Sequence, residues 1–418
     1  MTLPTHDLST LAVPARFSSS TLENVVSTLI KDTTEGRLTP LSIVHDDVDL
    51  ARFEKETQFL SEYRYLVVLG TGGSSLGAKS LYALTKPNFL ATKQQMFFVE
   101  NVDPMTLNAL LRDFPPQETG YLAISKSGTT AETMAQFLCV LKHLRNTVGA
   151  SSLGDRCLVI TQPTDSPMKR LATRLALKTL DHPPTIGGRF SVFSCVGLVP
   201  ALLRGVDVKE VRAGARAALS RFTQEKEASA VAQSAAAFAA YSTTGYNAHV
   251  TMPYCDKLTT FTLWWRQLWA ESLGKKGLGT QPVPAVGTTD QHSQLQLFLE
   301  GPKDKFYTLL FTNAASRGPD FPAEDLDADS SLSYLEGRTM GDLMDAEQRA
   351  TLQCLRNKKL PVRVLSFDAL TPFVMGALMM EAMLETILVA KLMNIDPFSQ
   401  DAVEEGKVLT RTYLKEMA

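Results

Sequence analysis

A chain of 418 residues is long enough for two or three domains with sizeable cores. With 44% hydrophobic residues, 21% charged residues and a formal net charge of -2, it reads as an ordinary soluble globular protein without the overall positive charge that draws proteins to nucleic acid, so any basic patch must be local. Five widely spaced cysteines (Cys139, Cys157, Cys195, Cys255, Cys354) read as buried apolar residues in a reducing compartment, and no basic segment followed by an apolar run opens the chain, so a cytoplasmic location is expected.

In chain order, apolar runs at 65–69, 95–99, 121–124 and 156–160 alternate with helix-like stretches, the pattern of a parallel sheet covered on both faces. An Ala-rich helical region spans 211–240. Further strands are expected at 248–252, 282–286, 306–311 and 362–367, again separated by helical segments, which predicts a second domain like the first. The acidic, Pro-containing stretch 318–333 reads as a surface loop. Residues 372–394 are apolar enough to raise the question of a membrane, but Glu381, Glu385 and Lys391 interrupt them, so a buried core or interface helix is expected instead of a span.

Ser125-Lys126-Ser127-Gly128-Thr129-Thr130-Ala131-Glu132-Thr133 leaves the strand at 121–124 and enters a helix expected over 132–145. A turn there aims backbone N–H groups and the positive end of the helix dipole outward, and Ser and Thr add uncharged donors. Thr130 with Thr133 would suffice as a helix cap. Five hydroxyl residues in nine positions exceed capping and suit a phosphate. A similar turn, Gly70-Thr71-Gly72-Gly73-Ser74-Ser75-Leu76-Gly77, follows the strand at 65–69. It fits neither nucleotide motif. Gly77-Ala78-Lys79-Ser80 has one residue too many for a Walker A loop, and Ser75 stands where a dinucleotide fingerprint needs glycine, although Glu100 could imitate the ribose-binding acid. A glycine turn open to a small anionic ligand remains.

Together with Gly187-Gly188-Arg189-Phe190-Ser191, Trp269-Ala270-Glu271-Ser272-Leu273-Gly274-Lys275, Asp290-Gln291-His292 and Gln400-Asp401-Ala402-Val403-Glu404-Glu405-Gly406-Lys407, these segments resemble the glucose-6-phosphate isomerase family. The matches run in family order from Gly70 to Lys407, about four fifths of the chain. The resemblance implies an α/β fold of two sugar-isomerase-type αβα sandwich domains with mostly parallel sheets, plus C-terminal helices. Expected divisions are an N-terminal helical segment at 1–50, domains at 51–205 and 206–370, and C-terminal helices at 371–418 that complete the active site.

The implied reaction moves a hydrogen between adjacent carbons of glucose 6-phosphate and fructose 6-phosphate through a cis-enediol(ate), after ring opening, and needs a base but no cofactor. Glu271 matches the family's base, and its place at the end of an aromatic helix (Trp264, Trp265, Trp269) is expected to desolvate the carboxylate in part and raise its pKa. Without the motif it would read as a solvated helix-end glutamate near Lys275. His292 matches the histidine of ring opening, with Asp290 in place of the usual glycine, and Lys407 matches the lysine that handles the sugar hydroxyl. Arg189 matches the arginine that stabilises the enediolate, and Gln400 a phosphate contact. Gly73, Ser74, Ser125, Ser127, Thr129 and Thr130 match phosphate-binding positions, with Ser127 and Gly128 departing conservatively from Thr and an aromatic. The six histidines show no paired metal-ligand spacing, and no metal is expected.

The family's histidine reaches the site of the neighbouring chain, so a homodimer with shared active sites is implied, acting on small sugar phosphates and on neither nucleic acid nor membrane. Rival readings are a noncatalytic sugar-phosphate sensor, against which Glu271, His292, Lys407 and Arg189 stand together, and a mannose- or amino-sugar-phosphate isomerase of the same fold.

Overall fold

The structure, a computed structural model, describes residues 2–11, 17–85, 94–322 and 330–417. Among the described residues, ten strands form two five-stranded sheets: β1 (Thr5–Asp7), β2 (Tyr65–Leu69), β3 (Gln95–Val99), β4 (Thr119–Ile124), β5 (Cys157–Thr161), β6 (Lys178–Asp181), β7 (Ala248–Pro253), β8 (Gln281–Pro284), β9 (Lys305–Thr312) and β10 (Val362–Phe367). The first sheet has the order β3-β2-β4-β5-β6 and is parallel throughout. In the second, β1-β10-β9-β7-β8, only β1 is antiparallel.

Alternation along the strands explains the layers. Val67, Leu69, Tyr121, Ala123, Cys157 and Val159 face one way, onto Phe137, Val140 and Leu144 of the helix Ala131–Thr147. Leu66, Val68, Leu122, Ile124, Leu158, Ile160 and Leu180 face the other way, into a core that continues to Phe306, Leu310, Leu365 and Phe367 of the second sheet. The two sheets thus share one core. Val250, Met252, Tyr307, Leu309, Val362 and Val364 line the far side of the second sheet.

The expected strands are present, with the one placed at 282–286 running from Gln281 to Pro284. Two were not legible. β6 has only Leu180 buried, and β1 only a half-buried His6 between exposed neighbours, so neither carries an apolar run. β1 also shows that residues 1–50 are not wholly helical. It is held by its ladder to β10 and by His6, whose Nε2 lies 3.2 Å from Glu381. The Ala-rich region is two helices, Val208–Glu225 and Ala230–Tyr241, divided where Lys226 adopts a positive φ of 54°. Residues 323–329 of the expected acidic loop lie outside the described residues. Cys157 and Cys195 are buried as expected, whereas Cys139 and Cys354 are exposed.

The helix Pro372–Leu392 is long and apolar enough to cross a membrane, yet 94% of its most apolar window is buried inside the chain. Its acids are paired there: Glu381 with His6 and Arg221, Glu385 with Arg363 and Ser234. Buried charges persist only when partnered in this way.

Candidate active site

The site lies beyond the carboxyl ends of the first sheet's strands, where open α/β sheets bind ligands. The turn after β2 packs against the turn Gly188–Phe193, which follows β6. At Gly73 an added Cβ would lie 2.2 Å from the carbonyl carbon of Gly188, so only glycine lets the two turns touch. Ser191 Oγ fastens the contact, donating to Gly73 O at 3.1 Å and to Gly188 O at 2.7 Å. Gly73 and Arg189, more than a hundred residues apart in sequence, are thereby neighbours. Ser74 sits in this turn with its N–H on Thr71 O at 3.1 Å, and the Oγ of buried Ser75 has no partner among the described residues.

The loop after β4 does not serve the following helix as its cap. Thr130 occupies the N-cap position without a side-chain capping bond, and its Oγ1 accepts from Ser125 Oγ at 2.9 Å. Ser127 and Thr129 share a hydroxyl contact of 2.8 Å, and the Thr129 N–H donates to Ser127 Oγ at 3.2 Å. Thr133 Oγ1 is buried and has no partner among the described residues. Gly128 has φ of 65°, and a Cβ there would lie 2.2 Å from Ser166 Oγ, which is the physical reason a bulkier residue is absent. Ser127 and Thr129 are exposed at the loop's surface, whereas Ser125 is buried and Thr130 half-buried.

Arg189 is 2% exposed and ties its own turn to two other segments. Its Nε donates to Ser272 Oγ at 2.9 Å, and one terminal nitrogen donates to Glu271 Oε2 at 3.3 Å and Gln400 Oε1 at 2.7 Å. The other donates to Pro397 O and, at 3.0 Å, to Ser399 O. Gln400 therefore meets the arginine and not the hydroxyl loop, leaving its amide nitrogen to donate. Glu271 stands near the end of the helix Thr259–Leu273, with Oε1 accepting from Gln267 Nε2 at 2.9 Å, and its side chain is 34% exposed. The tryptophans do not cover it. Trp264, Trp265 and Trp269 are buried in the core, whereas the Glu271 side chain stays partly exposed and its side-chain partners are Arg189 and Gln267.

Lys126 and Lys275 both lie within electrostatic reach of Arg189. Burial holds the Lys126 ammonium below its usual value, and Arg189 adds to the effect. Lys275 is lowered by burial and then by Arg189. Arg189 itself is lowered by burial, with Glu271 opposing. Glu271, Asp396 and Asp401 act on Lys275 in the opposite sense, whereas Lys126 feels burial and Arg189, which leaves it to favour an anionic ligand. Lys126 and Gln267 were not singled out from sequence. Lys126 is the one cation amid the hydroxyls, and Gln267 precedes Glu271 by four residues on the same helix face, which were the available signals.

Two expected residues lie apart from this cluster. His292 is exposed and makes no hydrogen bond or ion pair among the described residues. Its turn is nonetheless fixed: Asp290 accepts from the Val286 N–H at 2.6 Å and from Ser293 Oγ, and Gln291 donates to Tyr254 Oη at 2.7 Å and Thr351 Oγ1 at 2.6 Å. Asp290 thus staples the turn. Lys407 lies on the helix Glu404–Glu416, which has no buried residue, and its Nζ contacts Glu404 at 2.6 Å.

The family model for phosphoglucose isomerase matches residues 54–305. A glucose-6-phosphate isomerase of Rubrobacter xylanophilus is 37% identical over 405 residues, spanning 94% of this chain and 91% of that one. Among solved structures, a hypothetical protein of Thermus thermophilus superposes with a TM-score of 0.88 at 31% identity, covering 99% of this chain and 100% of the other. A glucose-6-phosphate isomerase of Chlamydia trachomatis shares the fold, with a TM-score of 0.76 at 24% identity over 90% of this chain and 74% of that one.

Proposed function

Because this chain belongs to the phosphoglucose isomerase family and catalyses the reversible isomerisation of glucose 6-phosphate and fructose 6-phosphate, we propose that Glu271 is the base that carries the proton between C2 and C1. The observation that carries this reading is the Arg189 hub, which sets a fixed cation against the Glu271 carboxylate at 3.3 Å. As the base removes the C2 proton, negative charge spreads over the O1–C1–C2–O2 system, and a preorganised guanidinium lowers the energy of that state. Gln267 holds the other carboxylate oxygen and so orients the base. The same carboxyl then returns the proton at C1.

The phosphate, which does not react, sits on the loop Ser125, Ser127, Thr129 and Thr130 beside Gly73 and Ser74, with Lys126 supplying charge. Ser125→Ala with Thr130→Ala is expected to raise KM for glucose 6-phosphate about tenfold or more while kcat changes little, as for contacts made equally in ground and transition states. Steady-state kinetics checks this, and an unchanged KM would return the loop to a structural role.

The working unit is a homodimer in the cytoplasm, divided within each chain into domains at 51–205 and 206–370. Pro372–Leu392, satisfied inside its own chain, no longer argues for a second copy. The helix Glu404–Glu416 does, since Val408, Leu409, Tyr413 and Leu414 are exposed on it, and His292 is presented outward on a stapled turn. His292 opens the ring in the neighbouring site, and Lys407 joins when its helix is covered. Mixing inactive Glu271→Gln with inactive His292→Ala under subunit exchange is expected to restore about a quarter of wild-type activity, because half the dimers are mixed and each holds one intact site. Verified mixed dimers without activity would contradict the shared site.

A further inference from the structure

His182 is a buried titratable group that the mechanism above does not use. It follows β6 directly, is 1% exposed, and has Nδ1 at 2.7 Å from Pro183 O. A carbonyl oxygen only accepts, so Nδ1 carries the proton and Nε2 of the neutral ring is a bare acceptor. That nitrogen is buried and meets no donor among the described residues.

The backbone brings a donor toward it. Past the strand ends the ladder continues, with Ser125 N donating to Ile160 O at 3.0 Å, Gln162 N to Lys126 O at 3.0 Å and His182 N to Thr161 O at 2.8 Å. Given the registers Ile124 with Ile160 and Thr161 with Asp181, Lys126, Gln162 and His182 form one row across β4, β5 and β6. By alternation the row shares the face of Ile124, Ile160 and Leu180, toward the core that contains Phe190 and Val192 of the Arg189 turn. Two strand spacings, about 10 Å, separate the outer members, a gap that a lysine and an imidazole side chain can bridge. Lys126 is half-buried, and its ammonium has no partner among the described residues.

We propose that His182 is a positioning residue: when an anion fills the Ser125–Thr130 loop, the Lys126 ammonium donates to the bare Nε2 of His182 and is steadied over the loop. The inference rests on the phosphate reading of that loop. A neutral acceptor suits this task because it orients the ammonium without cancelling the charge a phosphate needs, which a carboxylate would do. Burial first, and Lys126 as well, push His182 down to about 4, so the ring stays neutral at physiological pH.

The test uses inorganic phosphate as competitive inhibitor with wild type, His182→Leu, His182→Gln, Lys126→Met and the double variant Lys126→Met/His182→Leu. His182→Leu is expected to raise the phosphate Ki and the KM together by about three- to tenfold, with kcat within about twofold. Its melting temperature stays level or rises, because an orphaned buried acceptor is gone. His182→Gln, which keeps an acceptor, restores both constants, and in Lys126→Met the leucine has no further effect. Unchanged Ki and KM in His182→Leu, or an equal effect with and without Lys126, would overturn the proposal. If Ser125→Ala/Thr130→Ala shifts both constants while His182→Leu does not, only the role of His182 fails; if neither shifts them, the phosphate reading falls as well.

Discussion

Glu271→Gln is expected to lower kcat at least 10²- to 10⁴-fold, the contribution of a positioned general base, while KM stays near wild type. The amide keeps the shape of the carboxylate: its oxygen accepts from Arg189, and its NH2 donates to Gln267 Oε1, which has no partner among the described residues, once the Gln267 amide turns over, so binding survives and proton transfer does not. Folding survives too, because Arg189 retains Ser272 Oγ, Gln400 Oε1 and the carbonyls of Pro397 and Ser399 as acceptors. Steady-state kinetics with a coupled assay, together with a melting curve, separates these effects. Wild-type turnover in the variant would remove Glu271 from the chemistry.

Arg189→Met is expected to lower both activity and stability. Losing a fixed charge at a developing oxyanion costs about 10²- to 10³-fold in kcat. The guanidinium also ties the Pro397–Gln400 segment to the turn at Gly188–Phe193, and removing one partner of a buried charged network costs about 3–5 kcal/mol. Calorimetry measures the second effect, and kcat read well below the variant's melting temperature isolates the first. A variant that melts early yet keeps its kcat would make Arg189 a structural clasp only.

The parallel sheets were readable because strands buried on both faces, such as Leu66-Val67-Val68-Leu69, appear as unbroken apolar runs. Edge strands such as Lys178–Asp181 bury one residue and leave no such trace. The turns that meet at Gly73 and Gly188 were each visible as glycine pairs, but their contact is a tertiary fact that no local spacing encodes. The capping possibility at Thr130 failed for a reason equally invisible in sequence: its hydroxyl is taken by Ser125. The wrong expectation at Glu271 came from treating nearby tryptophans as covering groups. On a helix the residues three and four positions away share a face, and Gln267, not Trp269, is the neighbour of Glu271. His292 and Lys407 were found by motif alone, and a single chain does not bring them to Arg189.

The central claim is that one carboxylate takes a proton from C2 and delivers it to C1. Converting glucose 6-phosphate deuterated at C2 in ordinary water, and locating the label in fructose 6-phosphate by NMR, tests it most directly. Wild type is expected to place part of the deuterium at C1, the rest being lost to solvent from the carboxyl, and Glu271→Gln to form no labelled product. Fructose 6-phosphate labelled at C1 by Glu271→Gln at the wild-type rate, or no fructose 6-phosphate from the wild-type protein, would contradict the account.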